Sequence, residues 1–251
     1  QVRATIRDQD AESDLMPQIE RCVTGDLATF SDWPTALANV DVVIHLAART
    51  HCLDEQSADV LAKYRAANVD GTRRLLEACR GTGVRRFVFL SSIKAVGEGA
   101  SEPYFETDEC HPVDSYGQTK REAELLTLQM ATDLNIEPVV IRPPLVYGPG
   151  VRGNLARLMS LIHRGCPLPL GCVQNARSMI HVDNLAEAIR DCLEHAAAAG
   201  EVFHVADDPP VSGRDLALNL AQAMGCRVRL VPIPIPAMRL LGRVSGRIET
   251  V

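Results

Sequence analysis

The sequence predicts an α/β fold, with a doubly wound parallel sheet and a smaller C-terminal lobe. Two observations support this. Short apolar segments rich in β-branched residues alternate with longer segments of helical pattern, and parallel strands need helical crossovers of this kind. The short segments are also apolar at consecutive positions, as expected for strands that are covered by helices on both faces. The 251 residues suffice for one such domain with an appendage.

Six segments fit the strand pattern, namely residues 2–6, 19–23, 42–46, 86–90, 138–142 and 202–205. Five segments fit the helical pattern, namely residues 58–80, 115–134, 154–164, 183–198 and 212–224. After residue 148 the composition changes, because Gly148-Pro149-Gly150 and the proline-rich stretches at 166–171 and 232–236 indicate loops. We therefore predict a sheet domain over residues 1–148, which also takes the strand at 202–205, and a smaller lobe over residues 149–251.

Composition excludes several classes of function. The net charge is −6 and no long basic segment is present, which argues against nucleic acid or an anionic membrane as the main partner. The eight cysteines form no C-x-x-C pair and show no zinc spacing with histidine, so we expect no metal site and reduced thiols in a cytoplasmic protein. No apolar run reaches about 18 residues, so no membrane-spanning helix is expected.

The most informative motif is Ser92 followed by Tyr116 and Lys120. Residues four apart on a helix share one face. Lowering a phenol pKa from about 10 to about 7 takes roughly 4 kcal/mol, which a neighbouring ammonium and a cationic cofactor could supply. A serine hydroxyl beside the phenol could hold a substrate hydroxyl in line. The three residues therefore predict a device that removes a proton from a carbinol while a hydride leaves the same carbon.

The same spacing also occurs on ordinary helix surfaces, where a tyrosine packs along a lysine side chain. The surrounding sequence favours the functional interpretation. The predicted strand 86–90 delivers Ser92 at its end. Asp114 and Ser115 form a plausible N-cap for the helix that carries Tyr116.

Further segments occur in a fixed order around this motif. They are residues 24–27, 45–48, 68–72, 91–92, 116–120, 142–150 and 177–184. In order and spacing they resemble the extended short-chain dehydrogenases/reductases of the NAD-dependent epimerase/dehydratase type, which act on nucleotide-sugars. The resemblance covers nearly the whole chain and implies a Rossmann-like, dinucleotide-binding domain over residues 1–148 and a mainly substrate-binding lobe over residues 149–251.

The resemblance assigns roles to individual residues. Ser92 would bind the substrate hydroxyl, Tyr116 would act as base and then as acid, and Lys120 would hold the nicotinamide ribose and lower the pKa of Tyr116. Asp26 would accept a hydrogen bond from the adenine amino group, with a turn aspartate as its alternative. Arg177 would pair with the substrate diphosphate, since a guanidinium suits phosphate oxygens, with a surface arginine as its alternative.

The implied cofactor is NAD, with NADP not excluded, and the implied substrate is a nucleoside diphosphate sugar. The residues expected to contact the cofactor are Arg7, Asp8, Asp26, Leu27, Leu46, Ala47, Ala48, Asn68, Tyr116, Lys120 and Pro143. The residues expected to contact the substrate are Ser92, Lys94, Asn154 and Arg177. For Asn68, a solvated helix position is the alternative.

The sequence departs from the family pattern in its phosphate-binding turn. The glycine-rich turn and the strand that precedes it in this family are missing from the sequence, whose first residue is Gln1. In this fold that turn seats the pyrophosphate, so the chain as given is expected to begin at the second strand and to bind a dinucleotide poorly. Residues 148–153 satisfy G-x-G-x-x-G, but no acidic residue follows about 20 positions later. We interpret them as a substrate-side loop.

Two further departures concern the reaction. Leu145 and Val146 stand where many nucleotide-sugar enzymes of the family carry a substrate-binding asparagine, which admits a reductase of another carbonyl substrate. Lys94 stands where the dehydratases carry an acidic residue. A lysine needs a strongly depressed pKa to replace a carboxylate base, so dehydration is disfavoured.

The sequence therefore predicts an NAD-dependent epimerase that inverts C4 of a UDP-sugar through a 4-keto intermediate, in surface polysaccharide biosynthesis. An NAD(P)-dependent reductase is the first alternative. A non-catalytic binding protein is the second, which the intact Ser92, Tyr116 and Lys120 disfavour. The adjacent Arg7 and Asp8 leave NAD and NADP open, with NAD preferred. The resemblance also implies a homodimer that packs the helices at 58–80 and 115–134 against those of its partner.

Overall fold

A computed structural model of the chain describes residues 1–7, 16–27, 29–50, 59–99, 102–234 and 236–237. These residues form two compact units. The first unit contains residues 1–144 and 186–205, and the second contains residues 145–185 and the described residues from 206 onward. The second unit thus begins close to the predicted change at residue 148, and the strand predicted at 202–205 belongs to the first unit.

The strands are short, as expected for an α/β fold. They are β1 Arg3–Ile6, β2 Glu20–Val23, β3 Val42–His45, β4 Arg86–Leu90, β5 Glu137–Arg142, β6 Leu145–Tyr147, β7 Pro167–Leu168, β8 Met179–His181, β9 Val202–His204 and β10 Arg229–Leu230. The helices are α1 Trp33–Ala36, α2 Val60–Arg65, α3 Gly71–Ala78, α4 Ser115–Asp133, α5 Gly153–His163, α6 Val182–Glu194 and α7 Gly213–Ala223.

The first unit is built on a four-stranded parallel sheet of order β3-β4-β5-β9. Strand β4 lies inside this sheet, and four of its five residues are buried. Three of these four, Phe87, Val88 and Phe89, are the apolar residues that predicted a buried strand, and the fourth, Arg86, is paired with Glu137. The remaining strands of the unit, β1 and β2, pair in parallel with each other. The predicted α/β architecture with parallel strands is confirmed. The six predicted strands pair as two sets, one of β1 and β2 and one of β3, β4, β5 and β9.

The predicted helix at 58–80 is divided into three parts. Helix α2 leads into a π-helical turn at Ala66–Asp70, and α3 follows. A π-turn inserts one extra residue into a helix, and such turns are frequent at functional sites. Here the turn contains Asn68, which is 2% exposed.

Helix α4 matches its prediction to within one residue. The Asp114 Oδ1 atom accepts a hydrogen bond from the Gly117 N–H at 2.6 Å, so the predicted N-cap is present. One face of α4 packs into the apolar core of the unit, whose fully buried members include Leu76, Phe87 and Ala123. This packing fixes the helix that carries both Tyr116 and Lys120.

The second unit has a smaller core, formed by Ile162, Leu168, Ala217 and Ala221. Its strands pair as β6 with β8 and β7 with β10. Each has two or three residues, too few for a periodic pattern, so the sequence did not predict them. None of the helices in the described part of the chain is long and apolar enough to cross a membrane.

Candidate active site

Ser92 and Tyr116 meet in the first unit. Ser92 lies two residues beyond the end of β4, and Tyr116 lies in the first turn of α4. The Ser92 hydroxyl is near enough to the Tyr116 phenol to lower its pKa as a hydrogen-bonding neighbour. The Ser92 Oγ atom also accepts a hydrogen bond from the Lys94 N–H at 3.3 Å, which caps a 3₁₀ turn over Ile93–Ala95. The structure thus brings together the two hydroxyls that the sequence paired.

The pKa of Tyr116 differs from the sequence expectation. Burial raises it above its usual value, and this outweighs the lowering by the hydrogen bond with Ser92 and by the positive charge of Lys94. The charge of Asp114 also acts to raise it. In the chain alone, desolvation of the phenol dominates, and the lowering expected from Lys120 together with a bound cofactor stays a prediction.

Lys120 occupies an interior position. Its side chain is 2% exposed, and its Nζ atom donates a hydrogen bond to the Leu90 carbonyl oxygen at 2.5 Å. The ammonium also lies over the Phe89 ring, 4.2 Å from its centroid. Burial lowers the pKa of Lys120 to about 7, although the charge of Glu124 acts in the opposite direction. The amine is thereby fixed at the carboxyl end of β4.

Glu124 continues the buried face of α4, one turn beyond Lys120. It is fully buried and binds Arg142, whose Nε and Nη2 atoms donate hydrogen bonds of 2.9 and 2.8 Å. The Ser91 hydroxyl donates to the same carboxylate at 2.5 Å, and Arg121 donates at 3.0 Å. This network ties α4 to the ends of β4 and β5, and hence to the segment that carries Ser92.

His45 lies at the end of β3 and is also buried. Its Nε2 atom is hydrogen-bonded to the Thr72 hydroxyl at 2.8 Å. Burial, with a smaller effect of the nearby Lys120 charge, lowers the pKa of His45 to about 3. His45 is therefore neutral at physiological pH.

The segment after β3 presents a leucine followed by two small alanine side chains. Leu46 and Ala47 are exposed and Ala48 is half-buried. Asn68 holds the backbone that follows: its Oδ1 accepts from the Arg49 N–H at 2.7 Å, and its Nδ2 donates to the Arg49 carbonyl at 3.2 Å. Asn68 also donates to Thr119 on α4 at 3.1 Å. Because small residues allow a ligand to approach the backbone closely, this surface fits a dinucleotide.

The other predicted cofactor residues that the structure describes lie after the ends of β1, β2 and β5. Arg7 follows β1 and is exposed, and Asp26 and Leu27 follow β2 through Gly25, whose φ of 64° suits a glycine. Asp8 lies outside the described residues. Pro143 follows β5, and its carbonyl accepts a hydrogen bond from the Ile93 N–H at 3.0 Å, which ties the turn after Ser92 to that strand.

The predicted substrate residues divide between the units. Lys94 lies in the first unit, where its ammonium donates to Asp114 at 2.8 Å and to Glu98 at 2.6 Å. Asn154, in the first turn of α5, and Arg177 are exposed residues of the second unit. Their contact with a substrate stays a prediction.

Gly148, the first glycine of the segment 148–153, packs closely within the second unit. A Cβ atom at Gly148 would lie 2.6 Å from the Val182 side chain, and its φ is 146°. The glycine is therefore required by close packing within this unit. Nearby, Asp207 accepts hydrogen bonds from Tyr147 at 2.9 Å and from Asn184 at 2.7 Å, which ties β6 and α6 to one carboxylate.

Sequence reasoning missed two groups of charged residues at the site. It did not pair Lys94 with Asp114, because these residues are 20 positions apart and no local pattern links them. It also missed Glu124 and Arg142. A signal for Glu124 was available, because Tyr116, Lys120 and Glu124 are spaced by four and must share one helical face.

Comparisons with known proteins identify the family. The family model described as "NAD dependent epimerase/dehydratase family" matches residues 1–206. The chain is 41% identical over 230 residues to a UDP-glucose 4-epimerase of Vibrio cholerae, covering 90% of this chain and 70% of that protein. It is 31% identical over 240 residues to N-acetyl-alpha-D-glucosaminyl-diphospho-ditrans,octacis-undecaprenol 4-epimerase of Escherichia coli O157:H7, covering 94% and 68%.

A solved structure shows the same architecture. MoeE5 in complex with UDP-glucose and NAD superposes with a TM-score of 0.76 at 29% identity, over 93% of this chain and 78% of that one. This likeness confirms the predicted Rossmann-like fold class, and the family match covers the first unit together with residues 145–185 of the second. The chain belongs to the NAD-dependent epimerase/dehydratase family of enzymes.

Proposed function

We propose that the chain epimerises a nucleoside diphosphate sugar at C4 with NAD as cofactor, and that the first candidate substrate is a UDP-sugar. The observation that carries the proposal is the proximity of the Ser92 and Tyr116 hydroxyls, with Lys120 one helical turn away on α4. The 41% identity to a UDP-glucose 4-epimerase supports the choice of reaction and of nucleotide. The NAD and UDP-glucose in MoeE5 agree with it.

The residues of the first unit fit the cofactor. The surface formed by Leu46, Ala47 and Ala48 would receive it, and the buried Lys120 amine is fixed where a polar ribose partner is needed. Exposed Asp26 would bind the adenine, and Arg7, Leu27 and Pro143 would form the rest of the cofactor-binding surface. When bound, NAD supplies a reversible acceptor for one hydride.

The chain's own residues then move the proton. Ser92 holds the C4 hydroxyl of the sugar, and Tyr116 accepts its proton as the hydride leaves the same carbon. The resulting 4-keto sugar turns its other face toward the site. Tyr116 returns the proton to the oxygen when the hydride returns to carbon, so that no net oxidation occurs. The ammonium form of Lys120 favours the phenolate by charge.

The remaining assignments belong to this proposal. Arg177 and Asn154 of the second unit would contact the diphosphate and the sugar, as the substrate lobe over 149–251 implies. The protein would be a cytoplasmic homodimer, and its product would enter surface polysaccharide. The undecaprenol-linked substrate named for the Escherichia coli relative supports the last point.

One observation favours a second function. Leu145 is 41% exposed in β6, at the position where a substrate-binding asparagine is expected. A reductase of a nucleotide-4-keto-sugar or of another carbonyl compound would use the same three residues in one direction, with NAD(P)H exchanging between turnovers.

A panel assay separates these functions. The purified full-length protein would be incubated with NAD and UDP-, GDP- or dTDP-sugars, with C4 configuration followed by NMR and NADH by absorbance. We expect C4 inversion of a UDP-sugar without net NADH, and net consumption of NAD(P)H with a keto-sugar would indicate the reductase. Tyr116→Phe should abolish turnover while leaving folding unchanged, whereas Tyr104→Phe serves as the matched control. Undiminished epimerisation by Tyr116→Phe would overturn the proposal.

A further inference from the structure

Lys94 occupies a position that the proposed reaction has not yet used. It lies two residues after Ser92, and its side chain is 27% exposed. Its ammonium is shared between Glu98, four residues later, and Asp114, which precedes α4. The bond to Asp114 therefore crosses from the Ser92 turn to the helix that carries Tyr116.

Asp114 uses its two carboxylate oxygens for two different purposes. Its Oδ1 atom caps α4 by accepting from the Gly117 N–H at 2.6 Å. Its Oδ2 atom accepts from the Lys94 ammonium at 2.8 Å. One side chain thus fixes the first helical turn and also attaches that turn to the segment of Ser92.

The backbones of the two segments also touch. A Cβ atom at Gly117 would overlap the carbonyl oxygen of Lys94, so only glycine permits this approach. The Lys94 N–H donates to the Ser92 hydroxyl. This contact and the ion pair are independent observations, and both place Lys94 against the first turn of α4, which carries Tyr116.

We propose that Lys94 is a positioning residue: by bonding Asp114 it holds the Ser92 turn against the first turn of α4 and so sets the alignment of the Ser92 and Tyr116 hydroxyls. This inference rests on the proposed function. It assigns Lys94 no proton transfer, because its ammonium is engaged by two carboxylates. Misalignment of reacting groups by about 1 Å can cost a hundredfold in rate, so loss of this bond should reduce kcat rather than weaken substrate binding.

The charges of the pair act on Tyr116 in opposite directions. Lys94 lowers the pKa of Tyr116 and Asp114 raises it. Burial, Ser92 from the same turn as Lys94, and Tyr64 from α2 also act on this phenol. Removing Lys94 should therefore raise the Tyr116 pKa and neutralising Asp114 should lower it, whereas both changes break the same bond.

Two variants exploit this contrast. Lys94→Met removes the ammonium with little change in side-chain length. Asp114→Asn keeps an oxygen for the Gly117 N–H but turns an NH₂ group, which cannot accept a hydrogen bond, toward Lys94. Glu122→Gln is the matched control. Glu122 also lies on α4, and the substitution removes its ion pair with Arg65 of α2. Lys94→Arg should recover part of the wild-type rate, since it restores the charge and a donor.

The experiment measures kcat and KM for epimerisation, and titrates the Tyr116 phenolate by its absorbance relative to Tyr116→Phe in each background. We expect Lys94→Met and Asp114→Asn each to lower kcat at least about tenfold, with little change in KM, while their Tyr116 pKa values move apart. The double variant should lose no more than either single variant.

Each other outcome overturns the inference. Wild-type kcat in Lys94→Met, or equal losses in Glu122→Gln, would show that Lys94 has no positioning role. A rise in KM without a fall in kcat in Lys94→Met would contradict the positioning role and support the substrate contact predicted from the sequence. If the wild-type protein epimerises no nucleotide-sugar, the proposed function fails separately. The phenolate titration still tests the inference in that case. Tyr116 pKa values that do not respond to Lys94→Met and Asp114→Asn would overturn the placement of the Lys94–Asp114 pair beside Tyr116.

Discussion

The two ends of the catalytic face of α4 are held in contrasting ways. At the Lys120 end, the supporting ion pair joins Glu124 to Arg142, and both side chains are at most 2% exposed. At the Tyr116 end, the supporting pair joins Lys94 to Asp114, with 27% and 31% of their side chains exposed. The residues that carry the chemistry are only four apart, yet one is fixed by the interior and the other by a solvent-accessible bond.

The difference in exposure predicts that the two ion pairs contribute unequally to folding stability and to the alignment of the reacting groups. Charges in the interior interact strongly and are costly to leave unpaired, whereas water screens a partly exposed pair. The interior pair therefore stabilises the fold that positions Lys120. The exposed pair adds little to folding but lies where small displacements alter the alignment of Ser92 and Tyr116. Stability and catalysis should thus respond to different substitutions on one helix.

The largest effect on stability is expected at Glu124. Glu124→Gln leaves the Arg142 guanidinium buried without its counter-charge, and breaking a buried pair in this way costs about 3–5 kcal/mol. Chemical denaturation at neutral pH would measure the loss. In the double variant Glu124→Gln/Arg142→Met no fully buried charge is left unpaired, since Arg121, the other partner of Glu124, is 29% exposed. The loss in the double variant should therefore be smaller than the sum of the single losses. A loss below about 1 kcal/mol for Glu124→Gln would contradict this prediction, because it would show that the buried pair contributes no more to stability than an exposed ion pair does.

A smaller effect follows from the titration of Lys120. Its pKa is about 7 in the folded protein, and an unfolded lysine titrates near ~10.4. Between these values the unfolded chain binds one more proton than the folded chain, so stability rises with pH. From pH 7 to 9 we expect the unfolding free energy to increase by roughly 2 kcal/mol through this group.

Lys120→Met tests that assignment. The increase should be missing from this variant and should therefore appear as a rise with pH in the wild-type unfolding free energy minus that of the variant, because other titrating groups contribute equally to both. A difference that stays constant from pH 7 to 9 would show that Lys120 is charged in the folded protein over this range. The charge of Glu124, which opposes the lowering of the Lys120 pKa, would then outweigh burial.

Local patterns predicted much of this architecture. The apolar run of β4 and the cap and periodicity of α4 placed Ser92, Tyr116 and Lys120 at neighbouring ends of two elements, and the structure joins the two hydroxyls there. The π-turn at Ala66–Asp70 was not predictable, because the segment keeps a continuous helical composition and its extra residue is stabilised by tertiary bonds of Asn68.

Properties set by burial escaped prediction for a related reason. The sequence spacing of Tyr116 and Lys120 indicated their proximity but gave no measure of desolvation, which raises the pKa of Tyr116 and lowers that of Lys120. Likewise, the partner of Lys94 depends on where the chain returns after 20 residues. Long-range polar pairing is determined by the fold as a whole, so a single sequence shows it only through family resemblance.

The smallest effect on stability is expected at Asp114, and it sharpens the contrast between the two ends. Asp114→Asn keeps the helix cap, since asparagine caps as well as aspartate, and it removes an ion pair that is about a third exposed. We therefore expect a loss of only about 0–1 kcal/mol in denaturation, well below that of Glu124→Gln. Asp114→Ala should lose about 1 kcal/mol more, because it also removes the cap. If Asp114→Asn were as destabilising as Glu124→Gln, both ends of the face would be structural supports, and a reduced kcat in Asp114→Asn could be attributed to unfolding.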